Sequence, residues 1–151
     1  MARRRGFDIE GMDELVRAVK ELEKVPTKVA GKAARAGAKI AFKSAKANAP
    51  VDTGNLKGGL VMRAEKTTKK GKKVFDIKMD PAKNDVFVKE TATGIRYYYP
   101  SSQEYGYFTV SGRYIPGFRY LRKAITENER AIETAIVKVG VEEITKALRA
   151  R

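Results

Sequence analysis

The sequence predicts an α+β fold, on three observations. Apolar residues recur at helical spacing near both ends of the chain, over 8–48 and 118–149. Between them, over 60–117, the spacing shortens to the alternation of half-buried strands. A run rich in turn-forming residues, 49–59, separates the first regime from the second. The expectation is an N-terminal helical unit, then a small antiparallel sheet of about three or four strands. A long C-terminal helix packs on that sheet. At 151 residues, 1–151 reads as a single domain that buries roughly 70% of its unfolded surface.

Residues 1–7 read as a flexible basic arm built around Arg3-Arg4-Arg5. Asp8 is placed to cap a helix whose first turns carry Glu10 and Asp13-Glu14, the favourable sign for the helix dipole. Met12, Leu15, Val16, Val19 and Leu22 then give that helix one apolar face. Pro26 interrupts it, and either a kinked helix or a second helix starting at Thr27 fits the pattern.

From Lys28 to Lys46 the segregation is clean. Lys28, Lys32, Arg35, Lys39, Lys43 and Lys46 fall within about 80° of helical arc. Ala30, Ala33, Ala34, Gly37, Ala41, Ala45 and Ala47 take the other side, a face of small residues that lets another element approach closely. No acidic residue lies between Thr27 and Pro50. The basic stripe is either a solvated face or a surface for DNA or a neighbouring subunit.

Pro50 lacks a backbone donor and pushes the residues before it out of helical geometry, so the helix ends there. Asp52 or Thr53 is expected to cap the next turn, and Gly54 and Gly58-Gly59 permit unusual backbone angles. Strands follow at Leu60 to Glu65, with Leu60, Met62 and Ala64 on one face, and at Val74 to Met79, with Phe75, Ile77 and Met79 inward. The lysine-rich stretch 66–73 between them is a hairpin tip. Val86 to Lys89 is a third short strand. All seven tyrosines lie between Tyr97 and Tyr120, beside Arg96, Arg113, Arg119 and Arg122. Aromatics among arginines can stack on bases, or the tyrosines can simply seal the sheet. In the last helix Leu121, Ile125, Ile132, Ile136, Val139, Ile144 and Leu148 read as the packing face, with Gly140 a point of bending.

Composition bounds the chemistry. The chain has no cysteine and no histidine, which removes thiolate catalysis, disulfides, zinc–thiolate sites and the commonest general base. No acidic cluster suggests a metal site. No catalytic, cofactor-binding or metal-ligating residue is therefore expected, and no cofactor. Asp52-Thr53-Gly54 is also the tripeptide of aspartic proteases, whose chemistry needs two carboxylates sharing one proton at strand-borne turns. Here it follows a helix end, so a dimeric protease is a remote alternative. The net charge of +14 favours a polyanionic partner. No apolar run approaches the roughly 20 residues of a membrane span, and no signal core follows the basic start, so the expectation is a soluble chain made in the host cytoplasm without a membrane partner.

Three runs carry a family resemblance. They are Ala49-Pro50-Val51-Asp52-Thr53-Gly54-Asn55-Leu56-Lys57, Glu104-Tyr105-Gly106, and Pro116-Gly117-Phe118-Arg119-Tyr120-Leu121-Arg122. Their order resembles the tail-completion, or head–tail joining, proteins at the neck of long-tailed bacteriophages, the siphophage gp-ten-like tail components. Two departures stand out: Gly58-Gly59 occupies the place of a usual Ser, and Gly117 separates Pro116 from Phe118. The resemblance gives Pro50, Asp52, Thr53, Gly54, Leu56, Glu104, Tyr105, Gly106, Phe118 and Leu121 a structural role. It implies a virion protein forming a ring, hexameric to match the tail tube, at the head-proximal end of the tail. DNA would pass through that ring, and head-completion, tail-tube or tail-terminator proteins would be its neighbours. A stand-alone basic nucleic-acid-binding protein is the alternative that composition alone fits equally well.

Overall fold

The computed structural model describes residues 12–69 and 71–149. The basic arm 1–7 and the Asp8 cap lie outside these residues. So do the side chains of Met12, Leu15, Val16, Val19 and Leu22, whose helix is described through its backbone.

Helix α1 runs from Met12 to Asn48 without a break, and Pro26 lies inside it. Its 37 residues make a rod of about 55 Å. Pro26 therefore neither ends the helix nor starts a second one. After the exit at Ala49-Pro50 come α2 (Asn55–Gly59), β1 (Leu60–Ala64) and β2 (Phe75–Met79). A 3-10 turn at Pro81–Lys83 leads into α3 (Asn84–Phe87), β3 (Val88–Glu90) and β4 (Arg96–Tyr98). The chain continues through α4 (Tyr99–Tyr105), β5 (Gly106–Phe108), β6 (Tyr114–Pro116), α5 (Tyr120–Thr126) and α6 (Glu129–Arg149).

The α+β class is as expected, but the strands are shared among three separate two-stranded antiparallel ribbons: β1–β2, β3–β4 and β5–β6. In the first, Leu60 pairs with Met79, Met62 with Ile77 and Ala64 with Phe75, so the predicted inward residues share one face. The expected strand over Val86–Lys89 starts later. Asn84–Phe87 is a helical turn that drives Phe87 into the core, and only Val88 onward is extended.

The C-terminal segment also departs from the expectation. It is two helices rather than one, and α6 packs against α1 rather than on a sheet. The break has a local cause. The Asn128 side-chain amide donates to Ala124 O at 3.1 Å and to Ser44 Oγ at 2.9 Å, while the Asn128 backbone carbonyl accepts from Ile132 N at 2.8 Å. Asn128 thus closes one helix and opens the next while tethering both to α1. Gly140, by contrast, lies inside an uninterrupted α6. The two long helices run antiparallel: Asn128 meets Ser44, Ile132 and Ile136 meet Gly37, and Glu143 meets Lys32. A Cβ on Gly37 would stand 2.8 Å from Ile136 Cγ1, so the bare backbone sets the helix separation.

The core gathers at the C-terminal end of α1. Ala45, Ala49, Leu56, Leu60, Met79, Phe87, Tyr120 and Ala124 are buried together, with Phe42, Ile77, Val86, Tyr99 and Leu121 packed around them. Among the described residues Ala33, Gly37, Ala41, Ala45 and Ala49 are the buried small residues of α1 and its exit, whereas Ala47 is exposed. Gly59 explains one of the two departures from the family pattern. A Cβ there would collide with Phe87 Cζ, so a serine at this position would require the buried Phe87 ring to move.

Candidate functional site

Two assemblies of residues stand out: a clasp that fixes the core end of the molecule, and a basic face along α1.

The clasp begins with Glu104 on α4, a carboxylate only 5% exposed. Its Oε2 accepts from Leu121 N at 2.9 Å and its Oε1 from Arg122 N at 3.1 Å. These two N–H groups belong to the open first turn of α5, where no intrahelical acceptor exists. Arg119, the residue at the cap position, has no side-chain acceptor and sits in the left-handed region at φ 53°. A carboxylate from a distant helix therefore does the work of a local N-cap, and its charge suits the positive end of the helix. The backbone reinforces the contact, since Phe118 N donates to Gln103 O at 2.7 Å and Arg119 N to Glu104 O at 3.1 Å. Gly106 turns at φ 88° beneath this contact. A Cβ on Gly106 would strike the Ile115 carbonyl, and one on Gly117 would strike the Glu104 carbonyl. Glu104-Gly106 and Gly117-Arg122, far apart in sequence, thus form one structural unit.

Tyr120 follows directly and is 1% exposed, its hydroxyl 3.9 Å from Met79 Sδ. Burial raises its pKa well above the ordinary phenol value, and the nearby Glu104 charge adds to the rise. The first run reaches the same core through Leu56, which is buried. Asp52 lies close enough to Tyr99 to raise that phenol's pKa, after the larger effect of its burial. Pro50 is half-buried where the chain leaves α1, and Leu121 is half-buried beside the core, while Tyr105 and Phe118 are exposed. The expected capping role fails at one point. The N-cap of α2 is Gly54 at φ 77°, with no side-chain hydrogen bond, so neither Asp52 nor Thr53 caps this helix. Both are exposed on a turn between two helices, not on the strand-borne turn that carboxylate proteolysis uses.

The basic face is larger than its helical stripe. Lys28, Lys32, Arg35, Lys39 and Lys43 are positioned along α1, with Lys32 keeping 61% of its side chain exposed. Lys46, at the end of the stripe, is half-buried, its ammonium 4.6 Å from the centre of the Phe42 ring. The β1–β2 loop folds back onto the same helix, with Gly71 N donating to Thr27 Oγ1 at 3.4 Å. Lys73 passes Gly31, its Cγ 3.9 Å from where a Cβ would stand. Within the loop Thr67 Oγ1 donates to Lys72 O at 2.7 Å, which sets its shape. Lys73 is thereby brought to the Lys28–Arg35 side of α1, since these two flank Gly31 at one helical turn on either side, and Lys66, Lys69 and Lys72 are exposed on the same loop. Glu143 of α6 pairs with Lys32, and that hydrogen bond lowers the carboxyl's pKa. The sequence shows two lysine runs; only the folded chain makes them neighbours.

Among the described residues no group of three or more Asp or Glu is disposed to hold a metal ion, and no helix is long and apolar enough to cross a membrane. A protein-family model described as "Bacteriophage HK97-gp10, putative tail-component" matches residues 13–106. These residues take in α1, the hinge and Glu104-Tyr105-Gly106, while the run clasped by Glu104 lies just beyond them. No curated protein and no solved structure matches the chain. With more than half its length covered, the chain belongs to the HK97-gp10 family of bacteriophage tail components.

Proposed function

We propose that this tail component acts at the neck, as a ring at the head-proximal end of the tail whose basic face lines or borders the DNA path. The observation that carries the reading is the composite basic face. Exposed Lys28, Lys32 and Arg35 lie on α1, and exposed Lys66, Lys69, Lys72 and Lys73 lie on the loop that Thr27 and Gly31 anchor to that helix, with Glu143 paired to Lys32. Crowding like charges weakens a helix by about 0.2–0.5 kcal/mol per neighbouring pair. Exposed ion pairs return about 0–1 kcal/mol each. Such a face therefore has little value for folding and suits a polyanion. The role is binding without chemistry, since neither assembly places a nucleophile beside a base.

A hexamer would match the tail tube, and a single chain makes such a ring through head-to-tail contacts that close by rotation. Head-completion and tail-tube or tail-terminator proteins are then its neighbours in the virion.

The test is a salt titration of duplex DNA binding, read by fluorescence anisotropy, for the natural chain and for a variant with Lys66, Lys69, Lys72 and Lys73 changed to Gln. The slope of log affinity against log salt should flatten by about 0.9 for each phosphate that the variant no longer neutralises. An unchanged slope would separate the basic face from DNA. Strong, salt-sensitive binding by a chain absent from purified virions would instead favour a stand-alone nucleic-acid-binding protein.

A further inference from the structure

The basic face is as particular in its residue types as in its charge. From Lys28 to Lys43 the exposed residues of α1 are Lys28, Lys32, Arg35, Lys39 and Lys43, so every side chain fully presented there is a cation. The anchored loop adds exposed Lys66, Lys69, Lys72 and Lys73, with Thr68 among them. Arg35 is the one arginine, and neither stretch contains Asn or Gln. Among the described residues the exposed aromatics all fall between Tyr97 and Phe118, outside this face. Phe42 is half-buried against the core beside the Lys46 ammonium. The nearby acids are few. Glu143 is shared by Lys32 and Lys146, Glu65 is exposed at the base of the loop, and Glu23 falls on the opposite side of α1.

These residue types bind phosphate and read little else. Base edges are read chiefly by bidentate arginine, asparagine or glutamine, and single strands are held by stacking on exposed aromatics. Beyond Arg35 the face has neither set. A lysine ammonium is a compact, hydrated charge on a flexible stem and meets a phosphate as a point charge. The planar arginine fork, by contrast, fixes the orientation of what it holds. The row on α1 is also uneven. Its steps of four, three, four and four residues are about 6, 4.5, 6 and 6 Å along the helix. A strand of duplex DNA presents a phosphate about every 3.4 Å of its axis. Laid along a duplex, such a row has no single register that seats every cation at once, so a lengthwise shift costs little.

We propose that the basic face is a sliding surface for duplex DNA of any sequence, holding the duplex by its phosphates while letting it move lengthwise past α1. This rests on the DNA-path reading above and adds the substrate class and the manner of holding. Sequence-independent binding through phosphate charge is the kind that permits sliding and hopping. An arginine-lined face would carry the same charge but make stronger, orienting contacts that resist movement. The preference for lysine is thus a mechanical property of the path, separable from its charge.

The absence of cysteine lets Val110→Cys, at the fully exposed β5–β6 ribbon tip, carry a single fluorophore for tracking the full chain on stretched duplex DNA. Anisotropy of the unlabelled chain gives affinities. Equal-length duplexes of unrelated sequence should bind within about threefold of one another, far from the ~1,000-fold or larger margins of sequence-specific readers. A single strand of that length should bind more weakly. Changing Lys28, Lys39, Lys43, Lys66, Lys69 and Lys72 to Arg keeps every charge, so the salt slope should stay the same while diffusion along the DNA slows several-fold. Melting temperatures establish that both chains are folded. A preference of about tenfold or more between unrelated duplexes would overturn the proposal, since one good base contact supplies that much. Tighter binding to the single strand would overturn it in favour of the exposed tyrosines. Folded natural and arginine chains that diffuse equally fast would overturn it as well. The two levels separate cleanly: a natural chain that binds no duplex at low salt defeats the DNA-path reading itself, whereas one that binds but stays in place defeats the sliding alone.

Discussion

At the scale of single residues, Glu104 and Tyr120 decide most. Glu104 supplies two acceptors to the first turn of α5, and hydrogen bonds to a charged group contribute about 1.5–3 kcal/mol. Glu104→Ala should therefore destabilise the chain by roughly that amount. Glu104→Gln, which keeps one oxygen, should lose less, and urea denaturation ranks the three chains. Tyr120 gives a pH test with a definite sign. Its phenol is held above the ordinary pKa of 10.0 by burial. The protonated form is the one the core accepts, so its contribution is fully present below pH 10 and is lost as pH rises above that value toward the higher pKa of the folded state. Melting temperature should fall progressively above about pH 10, and Tyr120→Phe should remove that part of the fall. At lower pH the substitution should cost less than about 1 kcal/mol, because the hydroxyl's partner is a weak thioether acceptor.

At the scale of elements, the α1–α6 contact and the basic face make opposite predictions. Gly37 leaves no room for a side chain beneath Ile132 and Ile136. Gly37→Val should force the helices apart at a cost of about 1–3 kcal/mol, the range for overpacking, measured by thermal or urea unfolding. The stripe should behave in the reverse sense. Lys32 has a partner in Glu143, so the informative set is Lys28, Arg35, Lys39 and Lys43. Changing these four together to Gln should leave the melting temperature equal or higher, since it removes repulsion and no ion pair that the structure shows. The same change should reduce the yield of joined, infectious particles. A sharp drop in melting temperature with normal joining would make the stripe a folding feature.

At the scale of the whole molecule, the chain is a small core at one end of a long helical pair. Ribbons of two strands are marginal by themselves, and each of the three here is anchored through a helix or the clasp. Stability should accordingly be uneven. In hydrogen exchange, amides of α1 near Ala45 and of α5 near Ala124 should be the slowest, and those at the Thr109–Gly112 ribbon tip among the fastest. Equal protection at the tip and the core would contradict this distribution.

Much of this was determined by local sequence. Pro50 ends the first helix because a missing donor and a steric clash act within a few residues, whatever surrounds them. The alternation of Leu60, Met62 and Ala64 against Phe75, Ile77 and Met79 set the β1–β2 register, since a slip by one residue would turn every apolar side chain outward. The order of the three runs was likewise legible and pointed to the family. The tertiary structure decided the rest, because it depends on contacts between distant residues. Pro26 was carried through α1, where a local reading left two outcomes open. One apolar repeat in the last segment was split into two helices, because Asn128 found Ser44 on another element. Val137, Val141, Ile144 and Leu148 were left outside because Gly37 receives the opposite side of α6. Glu104 became a helix cap only when folding brought it to Leu121 and Arg122, and the loop lysines joined the α1 stripe only through Gly71 and Thr27. No spacing rule encodes such meetings, since each is set by where two separately formed elements come to rest.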